Sequence, residues 1–162
     1  MFGFKGVHHI AISVPCLGDA KSFYVDKLGF LLTDETHFPP SEEADKVMEL
    51  KTAECDVIMV KAGNLFLEIF EFQTPEPKTQ GRRPVSDHGY THLALEVEDI
   101  QTAYNYLEAA GVQWHHEPVS AGEGYMMTYG RDPFGNVIEI QQLQVGLPYS
   151  FDQLDRNHND LQ

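Results

Sequence analysis

A chain of 162 residues, 42% hydrophobic and 22% charged, suits one globular domain or two small modules sharing a core. Its formal net charge of −14 argues against nucleic acid or an anionic membrane surface as a partner, because either would approach against its own sign. The longest uncharged stretch, residues 6–18, is too short to span a bilayer, and no basic, apolar and small-residue leader is visible at the N-terminus. The two lone cysteines, Cys16 and Cys55, make no disulfide framework and point to a reducing, cytoplasmic setting.

In chain order, residues 7–14 read as a first strand, rich in Val and Ile with no interior Gly or Pro. A helix follows, with Asp19 as its cap, Ala20, Phe23, Tyr24 and Leu28 at helical spacing, and Gly29 at its end. Strands are expected over 30–34, 56–62 and 65–72. A segment rich in Pro and charge then reads as a linker. The pattern starts again with a strand over 90–97. A helix follows, capped by Asp99, carrying Ile100, Ala103, Tyr104, Leu107 and Ala110 and ending at Gly111. Strands over 112–115, 124–129 and 137–142 complete it. The boundaries are a first module over 1–74, a linker over 75–89, a second module over 90–144 and a C-terminal tail over 145–162, polar at its end and expected to be partly disordered.

The two halves repeat loosely. Val7-His8-His9-Ile10-Ala11-Ile12 aligns with Tyr90-Thr91-His92-Leu93-Ala94-Leu95, placing His9 and His92 in register. Gly63-Asn64 stands before Leu65-Phe66-Leu67-Glu68, and Gly135-Asn136 before Val137-Ile138-Glu139, in both cases turn chemistry entering a hairpin strand. The copies differ by one residue ahead of the glutamate.

A strand places alternate side chains on one face. His9, Ala11 and Ser13 therefore share a face, as do Phe66, Glu68, Phe70 and Phe72; in the second half His92, Ala94 and Glu96 match Val137 and Glu139. If a pseudo-twofold relates the modules, His9, Glu68, His92 and Glu139 can converge on one divalent ion. Such a set suits Zn²⁺, Ni²⁺, Co²⁺, Mn²⁺ or Fe²⁺ without choosing among them. An ion there would act as a Lewis acid and stabilise an enolate, with Glu139 and Glu68 as candidate catalytic bases. A single strand histidine is more often structural. The repetition of both residues in apolar strands argues for a site, because an unpaired buried carboxylate is costly. Elsewhere, His115-His116 reads as a solvated strand end, and His37 and His88 as loop residues without partners. Tyr129 and Arg131, just ahead of the Asp132-Pro133-Phe134-Gly135 turn, could reach a substrate from the strand end but read more readily as surface residues; Phe23 and Tyr24 read as helix packing. Phe66, Phe70 and Phe72 either line a cleft or pack under the helices.

These pieces resemble the vicinal oxygen chelate superfamily, which includes glyoxalase I, methylmalonyl-CoA epimerase, extradiol dioxygenases and fosfomycin-resistance proteins. The matching segments are His9-Ile10-Ala11-Ile12, Ser22-Phe23-Tyr24 with Leu28-Gly29-Phe30, Thr91-His92-Leu93-Ala94 with Val97-Glu98-Asp99-Ile100, and Arg131-Asp132-Pro133-Phe134-Gly135-Asn136 through Glu139. The resemblance implies an α+β fold of paired βαβββ modules forming a half-open, barrel-like cleft. It implies metal ligands at His9, Glu68, His92 and Glu139, with His8 and Glu71 turned to the opposite strand face.

A His-Glu-His-Glu set is similar to that of bacterial glyoxalase I, implying a metal-dependent lyase or isomerase that moves a proton on a small oxygen-chelating substrate. Alternatives are an isomerase like methylmalonyl-CoA epimerase, an Fe-dependent dioxygenase, and a non-enzymatic small-molecule binding protein. Glyoxalase I typically places Arg four residues after the first His and Asn four after the first Glu, both gripping glutathione. Here those positions are Ser13 and Phe72, which implies a different, more apolar substrate. Many relatives are homodimers, and a homodimer is the expected assembly, with each site formed within one chain or across two.

Overall fold

The computed structural model describes residues 3, 5–78 and 81–154. They fall into two compact units, one on either side of the boundary between residues 79 and 80. The class is α+β, with one open sheet in each unit and no closed barrel.

The first unit contains β1 (His9–Ser13), α1 (Leu17–Ala20), β2 (Leu31–Phe38), α2 (Glu42–Met48), β3 (Glu54–Ala62) and β4 (Leu65–Thr74). Its sheet runs β1-β4-β3-β2, with β1 parallel to β4 and the other pairs antiparallel. α1 continues as a π-helical segment over Lys21–Lys27. The cap differs from the expected Asp19. Cys16 stands at the N-cap without a side-chain cap bond, and the Leu17 amide instead donates to Glu71 Oε2 on β4 at 2.7 Å. A carboxylate from the sheet thus satisfies one of the open amides at the helix start.

That bond also fixes which sheet face the helix covers. Glu71, Ile69 and Leu67 alternate with Phe72, Phe70 and Glu68, and β3 brings Ile58 and Val60 opposite Ile69 and Leu67. Ile58, Val60, Leu67 and Ile69 are buried, as are Ala20, Phe23 and Tyr24 of the helical segment. Phe66, Phe70 and Phe72 therefore lie on the face of Glu68, away from α1. Phe70 and Phe72 stack there with ring centroids 5.3 Å apart.

The second unit contains β5 (Leu93–Glu96), α3 (Ile100–Ala110), β6 (Gln113–Trp114), β7 (Val119–Gly122), β8 (Tyr125–Arg131), β9 (Val137–Leu143) and α4 (Phe151–Leu154). The sheet order is β5-β9-β8-β6, with β7 also paired to β8. Asp99 caps α3 as its position implies, accepting from the Thr102 amide at 3.0 Å, a bond that holds its carboxyl below the usual carboxylate range. The Ile100 amide donates to Gln142 Oε1 at 2.9 Å, so α3 covers the face carrying Gln142 and the buried Ile138 and Ile140.

Between its second and third strands each unit inserts one element into the βαβββ pattern, and the second unit also carries α4 after its last strand. The insertion is α2 in the first unit and β7 in the second. The expected strand over 112–115 is only two residues long as β6, and Pro118, which has no amide to give a ladder, separates it from β7.

Among the glycines, Gly130 leaves the least room for a side chain. A methyl group there would stand 2.5 Å from Trp114 Cε3 and 2.9 Å from Val112 Cγ1. Trp114 cannot yield easily, since its Nε1 donates to the Tyr104 carbonyl at 3.1 Å and its ring stacks on Tyr104. Gly130→Ala is expected to cost about 1–3 kcal/mol through overpacking. Urea unfolding with an unchanged m-value would check it.

Candidate metal centre

The parallel pairs β1–β4 and β5–β9 set both halves of the candidate site in one register. Ala11 lies opposite Glu68 and Ala94 opposite Glu139, so each histidine stands two residues ahead of the position facing its glutamate. His9 Nε2 is 3.5 Å from Glu68 Oε2, and His92 Nε2 is 2.9 Å from Glu139 Oε2. The one-residue mismatch before the glutamates has a local cause. Ala62 pairs with Leu65 across a two-residue Gly63-Asn64 turn, with Gly63 at φ 62, whereas Asp132 bonds to Asn136 across a three-residue loop. The longer loop absorbs the offset.

The two pairs differ in surroundings. Glu68 is 21% exposed and His9 42%, against 5% for the Glu139 side chain and 26% for His92. Glu139 Oε1 accepts from the Tyr125 hydroxyl at 3.0 Å, and Tyr129 lies opposite Glu139 in the β8–β9 ladder. The Tyr129 ring meets His92 edge-on, with centroids 4.9 Å apart. Nothing in the sequence marks Tyr125, and Tyr129 is expected at a strand end, on the surface or within reach of a substrate. The register Tyr129 opposite Glu139 carries the signal, but it is visible only once the hairpin loop length is known. Within either unit, no three His, Cys, Asp or Glu side chains among the described residues gather closely enough to hold an ion. Each unit offers two donors.

Other candidates fall differently. Glu71 is engaged at the start of α1. His8 does not lie across the strand from His9: it precedes β1, stacks on Phe66 and places its Nδ1 2.8 Å from His9 Nδ1. His37 sits within β2 rather than a loop and is paired, with Nδ1 2.8 Å from Asp56 Oδ1. His115 and His116 are exposed, as expected. Arg131 is no surface residue. It is 7% exposed and donates from Nη1 to the Gly135 carbonyl and from Nη2 to the Arg83 carbonyl, both at 2.7 Å. Asp132 accepts from the Phe134 and Asn136 amides and from Asn136 Nδ2. The Arg-Asp-Pro-Phe-Gly-Asn run therefore builds the loop that delivers Glu139 into its strand.

The described part of the tail packs on the second unit. The Phe151 amide donates to Glu96 Oε2 at 2.8 Å, and Tyr149 meets Tyr125 with centroids 6.1 Å apart. The rest of the tail, residues 155–162, lies outside the described residues.

The Glyoxalase/Bleomycin resistance protein/Dioxygenase superfamily matches residues 6–140. The chain belongs to this superfamily. It is 31% identical over 158 residues to a 2-epi-5-epi-valiolone epimerase of Actinomyces sp, covering 91% of this chain and 84% of that protein. Among solved structures it is similar to a glyoxalase family protein from Bacillus cereus, with TM-score 0.77 and 26% identity, covering 88% of this chain and 98% of that one. It is also similar to one from Enterococcus faecalis, with TM-score 0.62 and 31% identity, covering 87% and 99%.

In this superfamily member, Tyr125 is the most perturbed phenol beside a candidate ligand. Burial pushes its hydroxyl up to about 12, helped by the bond it donates to Glu139 and by the charges of Glu139, Tyr129 and Tyr149. A raised folded value means the folded state holds the proton more tightly than the unfolded chain. The stabilisation is thus complete below about pH 10 and is lost as the pH rises through 12. It amounts to a few kcal/mol at most, on the order of 1 kcal/mol for each pH unit between those values, and less because the ring is partly solvated. Tyr125→Phe is expected to flatten the fall in stability between about pH 10 and 12, read by urea unfolding of metal-free protein across that range. Tyr129, also raised by burial and Glu139, keeps some of the slope.

No helix among the described residues is long and apolar enough to cross a membrane.

Proposed function

We propose that the chain is a metal-dependent isomerase or lyase of glyoxalase I type, holding one divalent ion through His9, Glu68, His92 and Glu139. One observation carries this reading: an imidazole Nε2 faces a carboxylate oxygen in each module, on the same diagonal of the same strand pair. Imidazole nitrogen and carboxylate oxygen are the donors that Zn²⁺, Ni²⁺, Co²⁺, Mn²⁺ and Fe²⁺ accept. Two donors per module make half a site, so a full set takes one pair from each, within one chain or between the chains of a homodimer.

An ion so held supplies Lewis-acid polarisation of a substrate oxygen. The protein's own groups handle the proton. Glu139 and Glu68 are the bases, each able to take a proton from a carbon next to a carbonyl. Tyr125 aims the Glu139 carboxylate with Tyr129 beside it; a phenol is protonated at neutral pH in any case, and burial moves both further from losing that proton. Burial of Glu139 keeps bulk water from competing for the same proton. The likeness to an epimerase favours the isomerase form, in which a carbon-bound proton is removed and returned. Ser13 and Phe72, in place of a glutathione-gripping pair, support a less polar substrate than glutathione hemithioacetal.

The test is chelator treatment, reloading with single divalent ions, and measurement of solvent deuterium entering a substrate panel. The panel would include 2-epi-5-epi-valiolone, methylmalonyl-CoA and the methylglyoxal–glutathione hemithioacetal. Ion-dependent exchange that disappears in Glu139→Gln is expected. Exchange that persists in chelated protein, or an ion-free protein at every metal concentration, would overturn the reading.

A further inference from the structure

The other edge of each candidate imidazole is also held, and by the same position in both modules. His9 Nδ1 lies 2.8 Å from Nδ1 of His8, and His92 Nδ1 lies 2.8 Å from Oγ1 of Thr91. Neighbouring side chains in a strand point to opposite faces and do not meet. These two pairs meet at the strand entries: β1 begins at His9, so His8 precedes it, and β5 begins at Leu93, so both Thr91 and His92 precede it. His8 is further steadied by stacking on Phe66, with ring centroids 5.1 Å apart.

From this repetition we infer that His8 and Thr91 are positioning residues, each gripping the Nδ1 edge of the next imidazole so that Nε2 is presented to the ion. The inference rests on the metal reading above. Its physical basis is that a ring with one nitrogen tied has its rotation set, and partners of this kind shape metal affinity. The choice of partner is itself informative. A hydroxyl and an imidazole nitrogen can each donate or accept, whereas a carboxylate or carbonyl can only accept. Thr91 and His8 can therefore bond Nδ1 in either tautomer, with Nε2 donating to its glutamate or lending its lone pair to an ion. The two modules reach one arrangement with different residues, which makes an exchange between them a direct probe.

The experiment measures Co²⁺ and Zn²⁺ dissociation constants by competition with a chromophoric chelator, together with the visible spectrum of the Co²⁺ form. Thr91→Val keeps the shape and removes the hydroxyl; it is expected to weaken binding about tenfold, the lower end for such partners because the site is open to water. Thr91→Ser should restore affinity to within about twofold of the parent. His8→Val should lose about tenfold, and His8→Thr, which copies the second module, should recover it with the parent Co²⁺ spectrum. Parent-like affinity in both valine variants would overturn the inference while leaving the metal reading intact. Failure of Thr91→Ser and His8→Thr to recover affinity would also overturn it. A parent protein that binds neither ion would overturn both.

Discussion

Glu139→Gln is expected to release the metal and to lower any ion-dependent turnover by about 10²–10⁴, the range for loss of a positioned proton-transfer group. The metal-free fold should lose little. Glutamine keeps the shape and an acceptor for the Tyr125 hydroxyl, and it removes a charge held at 4% exposure. The change opens no cavity and leaves the Tyr125 hydroxyl an acceptor, so the loss is confined to weaker contacts with His92 and Tyr125. The informative contrast is Glu71→Gln. That residue lies three positions past Glu68 on the opposite face and accepts from the Leu17 amide at the start of α1. It should shift stability by about 1 kcal/mol and leave metal content at the parent level. Metal content by elemental analysis and urea midpoints on both variants separate the two roles.

Arg131→Met should be the most destabilising single change outside the apolar core. The guanidinium is buried and donates to the carbonyls of Gly135 and Arg83, each at 2.7 Å. Charge-assisted bonds of this kind contribute about 1.5–3 kcal/mol each, and their loss leaves two carbonyls to find new partners. Arg131 Nε is buried without a hydrogen-bond partner, which offsets part of that gain. The expected net loss is about 3–5 kcal/mol, read as a fall in the urea midpoint. Arg131→Lys should recover little of it, since one ammonium cannot reproduce a two-pronged fork.

The consequence extends along the chain. Arg83 itself donates to the carbonyls of Asp87, His88 and Tyr90, so one guanidinium holds the stretch that leads into His92. Loss of Arg131 should therefore lower metal affinity as well as stability.

What could be read from the sequence was what repeats. The His9 and His92 strands, the Glu68 and Glu139 strands and the Asp99-capped helix all announce themselves by periodicity or by paired motifs. The choice of His9 over His8 and of Glu68 over Glu71 comes from the family resemblance, and the register that sets each glutamate beside its histidine is seen only in the structure. What stayed hidden depended on single contacts made across long stretches of chain. α2 has no buried residue and an exposed Val47, so no apolar stripe marks it. Its only sign is the Ser41 cap followed by acidic Glu42 and Glu43, which the Pro39-Pro40 turn obscured. The start of α1 is satisfied by Glu71, 54 residues away, which no local rule reaches. Tyr125, Tyr129 and Arg131 gain their roles from the register of β8 on β9, set by the hairpin loop. The tail has no periodicity because single bonds, such as Phe151 to Glu96, hold its described part.

The most direct test of the proposed centre is the metal content of purified protein and of the four single variants His9→Ala, Glu68→Gln, His92→Ala and Glu139→Gln, after equilibration with one divalent ion. The proposal predicts about one ion per chain in the parent and a marked loss in all four, including the two from the more exposed first pair. Full metal content in His9→Ala and Glu68→Gln would contradict it, because it would leave the first module's pair outside the centre.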